Sequence, residues 1–98
     1  MALEVGWQGT HVTADQLVKT GPGVLHSIIV NGLTTDGLVT IRDAVAAGAG
    51  TIIGILNLAT TGSKAIAPVT LNYDIKFSTG LFIDYDATAV ADLTVAHD

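Results

Sequence analysis

From Val69 to Phe77 every second residue is apolar: Val69, Leu71, Tyr73, Ile75 and Phe77 alternate with Thr70, Asn72, Asp74 and Lys76. Successive side chains of a β-strand point to opposite faces, so this spacing predicts a strand with one face in a core and one in water. A period of two is incompatible with a helix, and it recurs along the chain. Val39 and Ile41 stand against Thr40 and Arg42; Leu81, Ile83 and Tyr85 oppose Phe82, Asp84 and Asp86; Leu93 and Val95 alternate with Asp92 and Thr94. Val24 to Asn31 is apolar on both faces, which suits an inner strand covered on two sides. There Val24, His26, Ile28 and Val30 are expected to share one face, with Leu25, Ser27, Ile29 and Asn31 on the other. Thr51 to Leu58 is also apolar on both faces and rich in β-branched isoleucine, which favours a strand.

Between these runs stand Gly21-Pro22-Gly23, Asn31-Gly32, Asp36-Gly37, Gly48 to Gly50, Thr61-Gly62-Ser63 and Thr79-Gly80, all turn-forming combinations. Short strands with regular turn signals predict an all-β, single-domain antiparallel β-sandwich, jelly-roll-like or Greek-key, of about seven or eight strands. Asp43 to Ala47 reads as a loop rather than a helical turn capped by Asp43, because a glycine cluster adjoins it. Residues 1–16 pattern more weakly and are expected to form an N-terminal arm or edge segment ahead of a sandwich domain at 17–98. Trp7, the one tryptophan, lies between Gly6 and Gly9. It is suited either to anchoring a contact with a neighbouring subunit or to capping an open end of the core.

Ninety-eight residues, 49% of them hydrophobic, make a small domain with more apolar surface than it can bury alone. A membrane span does not account for the surplus. The longest apolar run, Ala44 to Ala59, is short of a bilayer crossing and broken by Gly48, Gly50, Gly54 and Asn57. No basic segment precedes an apolar stretch at the N-terminus, so no signal peptide is expected. Burial against further copies, a homo-oligomer, is the expectation. There is no cysteine, which is compatible with assembly in a reducing cytoplasm. The net charge is −5, and Lys19, Arg42, Lys64 and Lys76 are scattered. Nucleic-acid binding needs a clustered basic face, so it is not expected.

Candidate chemistry is sparse. His11, His26 and His97 lack the short-range spacing of zinc ligands, and Asp84, Asp86 and Asp92 are too few for calcium. No metal or cofactor is expected. Neither is catalysis: Ser27, Ser63 and Ser78 have no nucleophile-elbow glycines around them. Two carboxylates one residue apart on a strand cannot flank a sugar. Thr20-Gly21-Pro22-Gly23 lacks the lysine and helix of a phosphate loop. Ser78 is expected to bond local backbone within its turn. His26 is read as a strand residue at a sheet edge or interface, and Trp7, His11 and His26 are the candidate interface residues.

Three segments carry a resemblance. Thr20-Gly21-Pro22-Gly23 leads into an apolar strand ending Val30-Asn31; Gly37-Leu38-Val39-Thr40-Ile41-Arg42-Asp43 is the second; Phe77-Ser78-Thr79-Gly80-Leu81 comes later. In this order they resemble small β-sandwich virion proteins of tailed bacteriophages, over roughly Leu17 to Val95. The resemblance implies a structural protein of the virion made in the host cytoplasm. Its implied role is capsid decoration (cement): a homo-oligomer, commonly a trimer, bound to the major capsid protein on the outer capsid surface. The alternative is a fibre or tail-appendage part, or a carbohydrate- or receptor-binding module using Trp7, Tyr73, Phe82 or Tyr85.

Overall fold

The computed structural model describes residues 7–58 and 69–98, apart from the side chains of Leu33, Leu58 and Val69. Eight strands form among them: β1 (Gln8–Val12), β2 (Gln16–Thr20), β3 (Gly23–Thr35), β4 (Gly37–Asp43), β5 (Thr51–Leu58), β6 (Val69–Phe77), β7 (Gly80–Tyr85) and β8 (Val90–His97). They make two four-stranded sheets, β1-β8-β3-β6 and β2-β7-β4-β5. Every pairing is antiparallel. The pairs β1–β8, β2–β7, β3–β6 and β4–β5 are nested, like one long hairpin rolled up on itself. Two further pairings, β3–β8 and β4–β7, then close the layers. That strand order is the jelly roll, a β-sandwich built from two Greek keys.

The core is the sum of the inward faces that the alternation predicts. Val39 and Ile41 of β4, Leu81 and Ile83 of β7, and Leu93 and Val95 of β8 are all fully buried. Their polar alternates face out. Tyr85 joins the core, and its hydroxyl donates to the Ala91 carbonyl at 2.9 Å, with the Val12 carbonyl at 3.2 Å. It thereby ties β7 of one sheet to β1 and the start of β8 in the other.

Four features depart from the sequence expectations, each for a local reason. In β3, Leu25 pairs with His97 but Ser27 with Ala96, so β3 carries one extra residue there. On its other side, Leu25 pairs with Ile75 and Ser27 with Asn72, so β6 carries its own extra residue. Such a bulge shifts the in–out parity of the residues beyond it. Leu25 therefore joins Ile28 and Val30 in the core instead of lying with Ile29 and Asn31, and His26 does not share their face. Asp74, opposite, takes a left-handed φ of 51°, which a short polar side chain tolerates. Second, β6 lies at the end of its sheet among the described residues. Phe77 is buried and Leu71 and Tyr73 pack on the core, but Ile75 next to the bulge is 39% exposed.

Third, residues 8–16 are not an arm. β1 is the end strand of its sheet, Val12 is fully buried, and Gln16 opens β2. Residues 8–12 thus form an edge strand, one of the two readings given for this segment. Fourth, β5 buries Leu56 but leaves Ile52 and Ile55 exposed on its outer side. The stretch after Asp43 is a loop, as expected, with no helix among the described residues. The turn expected at Thr61-Gly62-Ser63 lies outside the described residues.

Candidate functional site

The three segments singled out by sequence meet at one corner of the sandwich. Thr20 pairs with Gly80, and the Gly21 N–H, at φ 90°, donates to the Thr79 carbonyl at 2.9 Å. Asp43, the last residue of β4, receives the N–H groups of Ser78, Thr79 and Gly80 at 2.9, 2.8 and 3.2 Å. The Ser78 hydroxyl also donates to Asp43, at 3.2 Å, so its partner is a distant carboxylate rather than local backbone. Gly80 is required sterically. A Cβ there would lie 2.8 Å from the Ala44 carbonyl oxygen and 2.9 Å from that of Lys19. The corner joins β2, β4 and β7.

The candidate interface residues lie on the outer side of the β1-β8-β3-β6 sheet, in two clusters. Trp7 stacks on the His26 ring with centroids 4.4 Å apart and planes 3° from parallel. His26 Nδ1 in turn lies 2.6 Å from Asp74 Oδ1. The paired bulges of β3 and β6 thus bring these two side chains together. The second cluster is centred on Asp92. His11 Nε2 approaches it at 2.6 Å, and Asn31 Nδ2 donates to both Asp92 and Thr94. His11 and His26 therefore each hold a different aspartate, and Trp7 belongs with His26 alone. His97 is elsewhere: buried, with Nδ1 at 2.9 Å from the Asp98 main-chain oxygen and Nε2 at 2.9 Å from the Thr10 hydroxyl. Since that oxygen only accepts, the proton sits on Nδ1, and in the neutral ring Nε2 accepts from Thr10.

Two further carboxylates, Asp84 and Asp86, are engaged in the same structural way. Asp84 holds Arg42 Nε at 2.8 Å and the Gly48 N–H at 3.0 Å. Asp86 receives the N–H groups of Leu38, Thr88 and Ala89. Among the described residues, no group of three His, Asp or Glu is arranged to hold a metal ion. Of the aromatic candidates for stacking on a sugar, Tyr73 and Tyr85 are taken up by the core, and Phe82 lies on the outer face of the opposite sheet from Trp7.

Compared with known protein families, curated proteins and solved structures, the chain matches none.

The structural role of Asp43 is hidden in the sequence because its partners, Ser78 to Gly80, are 35 to 37 residues away, whereas Asp86 combines the distant Leu38 N–H with the local ones of Thr88 and Ala89. The available signal was positional, a lone aspartate closing the Gly37 to Asp43 strand. Backbone N–H donors hold both carboxyls below their usual range of 3.8, Asp86 at about 2. Asp98 is lowered by the Val24 N–H and Lys19, and Asp92 by Asn31 and His11. A folded state that binds protons less tightly than the unfolded chain loses stability as these groups protonate. The melting temperature should therefore be level above about pH 5 and fall steadily from about pH 4 toward 2. A melting temperature unchanged down to the lower limit would contradict this. At the alkaline end, burial pushes the Tyr85 phenol up to about 12. Its contribution is complete below the ordinary tyrosine value of 10.0 and is lost on approaching that higher one.

Proposed function

We propose that this chain is a structural protein of a tailed-bacteriophage virion: a capsid decoration protein that self-associates and binds the major capsid protein on the outer surface of the head. Its role is mechanical, clamping neighbouring capsid subunits against the pressure of packaged DNA. It requires no cofactor, nucleic acid or membrane. The observation that carries the reading is the corner at Asp43. The three segments responsible for the resemblance are the ones that Gly21, Asp43 and Gly80 lock together. On this reading the resemblance lies in a joint of the scaffold, and Asp84 and Asp86 likewise hold turns and strands. A jelly roll alone assigns no function, since the architecture serves capsid proteins, lectins and enzymes alike.

The carbohydrate-binding alternative has less support, because its aromatics are divided between the core and two opposite faces. The test is co-sedimentation of the purified chain with capsids of the encoding phage that lack it, beside a glycan array. Saturable binding to capsids with an empty array is expected. An array hit together with failure to pellet with capsids would replace this reading with the glycan one.

A further inference from the structure

The two outer faces of the sandwich differ in character. The β1-β8-β3-β6 side carries the two His–Asp clusters described above. The β2-β7-β4-β5 side is apolar: register places Leu17, Phe82, Arg42 and Ile52 in one row across the four strands, with Asp84, Thr40 and Ile55 in the next. Leu38 extends the second face by one further row. Ile52 and Ile55 are 49% and 53% exposed. The charges in the first two rows, Arg42 and Asp84, neutralise each other and are each only 17% exposed, while Asp86 stands beside Leu38 at the margin of the face, its carboxylate on the Leu38 N–H. We infer that this face is where copies of the chain associate with one another.

Charge selects the occupant. Each copy carries −5, so two copies repel wherever their carboxylates approach. The first two rows are net neutral and more than half apolar, through Leu17, Phe82, Ile52 and Ile55, and free charge is scarce at the centres of protein interfaces. Like-charged copies meet there without juxtaposing charge, whereas their other faces bring Asp74 and Asp92 together. Size agrees. Four strands about 4.8 Å apart and six residues rising about 3.4 Å each present a plane of roughly 19 by 20 Å. Side-chain relief raises that area toward the ~600 Å² per partner at the lower end for stable association. A patch of this extent matches the largest on a typical monomer, and such patches often mark interaction sites. The inference rests on the self-association in the proposed function and gives it a location. Its test needs no capsid, so it can fail while virion binding holds.

The experiment is sedimentation equilibrium of the isolated chain and its variants at micromolar concentration. The native chain should sediment as a multiple of 10.0 kDa. Ile52→Lys with Ile55→Lys should give the monomer while keeping the native β circular dichroism, because both side chains are half exposed. Val90→Lys, at a site 45% exposed on the other sheet, should leave the native mass unchanged. If the double variant does not fold, Leu17→Lys serves in its place at the far end of the same row. A native chain that is monomeric at these concentrations overturns the inference, as does a folded variant of this face that keeps the native mass. An equal loss of association in Val90→Lys overturns it too.

Discussion

Replacing Ile83 with alanine is expected to remove about 2–5 kcal/mol of unfolding free energy, the range for a large aliphatic side chain deleted from a packed interior. Ile83 is fully buried at the middle of β7, between Gln16 of β2 and Ile41 of β4 in the register. It shares one buried cluster with Leu93 and Val95 of the other sheet. Ile75→Ala removes the same atoms from a residue that is 39% exposed at the end of its sheet, and should cost about 1 kcal/mol or less on transfer grounds. Urea denaturation of the two variants measures the contrast. Equal losses would mean that the parity assigned to β6 beside its bulge is wrong.

Asp43→Ala carries the second-largest expected effect. It leaves three backbone N–H groups and the Ser78 hydroxyl without their carboxylate. Water reaches this corner, so the loss should be about 1–3 kcal/mol rather than the sum of four charged hydrogen bonds. The distinctive expectation is local. Amide exchange should quicken at Ser78, Thr79 and Gly80 while Leu93 and Val95 stay protected, because the corner can open without the core. Asp43→Asn, which keeps an acceptor oxygen, should recover part of the protection. If exchange at those three amides is unchanged in the alanine variant, Asp43 does not hold the corner.

Much of this architecture is legible in the sequence because burial enforces the period of two. Ile41, Ile83, Leu93 and Val95 are inward as the alternation requires, and β4 and β7 begin and end where glycine or polar residues interrupt it. The bulges were not legible. An extra residue at His26 leaves composition untouched and changes only parity, so Leu25 crosses to the core with no sequence mark. β1 and β2 are obscured for a different reason: each is short, lies at the end of its sheet, and has, among the described residues, one neighbour to enforce a pattern. Val12 is the one fully buried residue of β1. Among the candidate interface residues, sequence reasoning picked out Trp7 and His26 separately. Their stacking and the Asp74 partnership depend on paired bulges in strands far apart in the chain. The apolar outer row of the β2-β7-β4-β5 sheet was visible only as surplus hydrophobicity, since Leu17, Phe82, Ile52 and Ile55 come from three strands and align only through register.

The central claim is that this jelly roll is a building part of a virion head. Cryo-electron microscopy of the native particle of the encoding phage tests it most directly. The account predicts two-layered sandwich density on the outer capsid surface, in several copies per local symmetry axis, into which this fold docks with the β2-β7-β4-β5 faces turned toward one another. A complete particle whose outer capsid surface carries no such density, while peptides of the chain are found only in the tail or not at all, would contradict it.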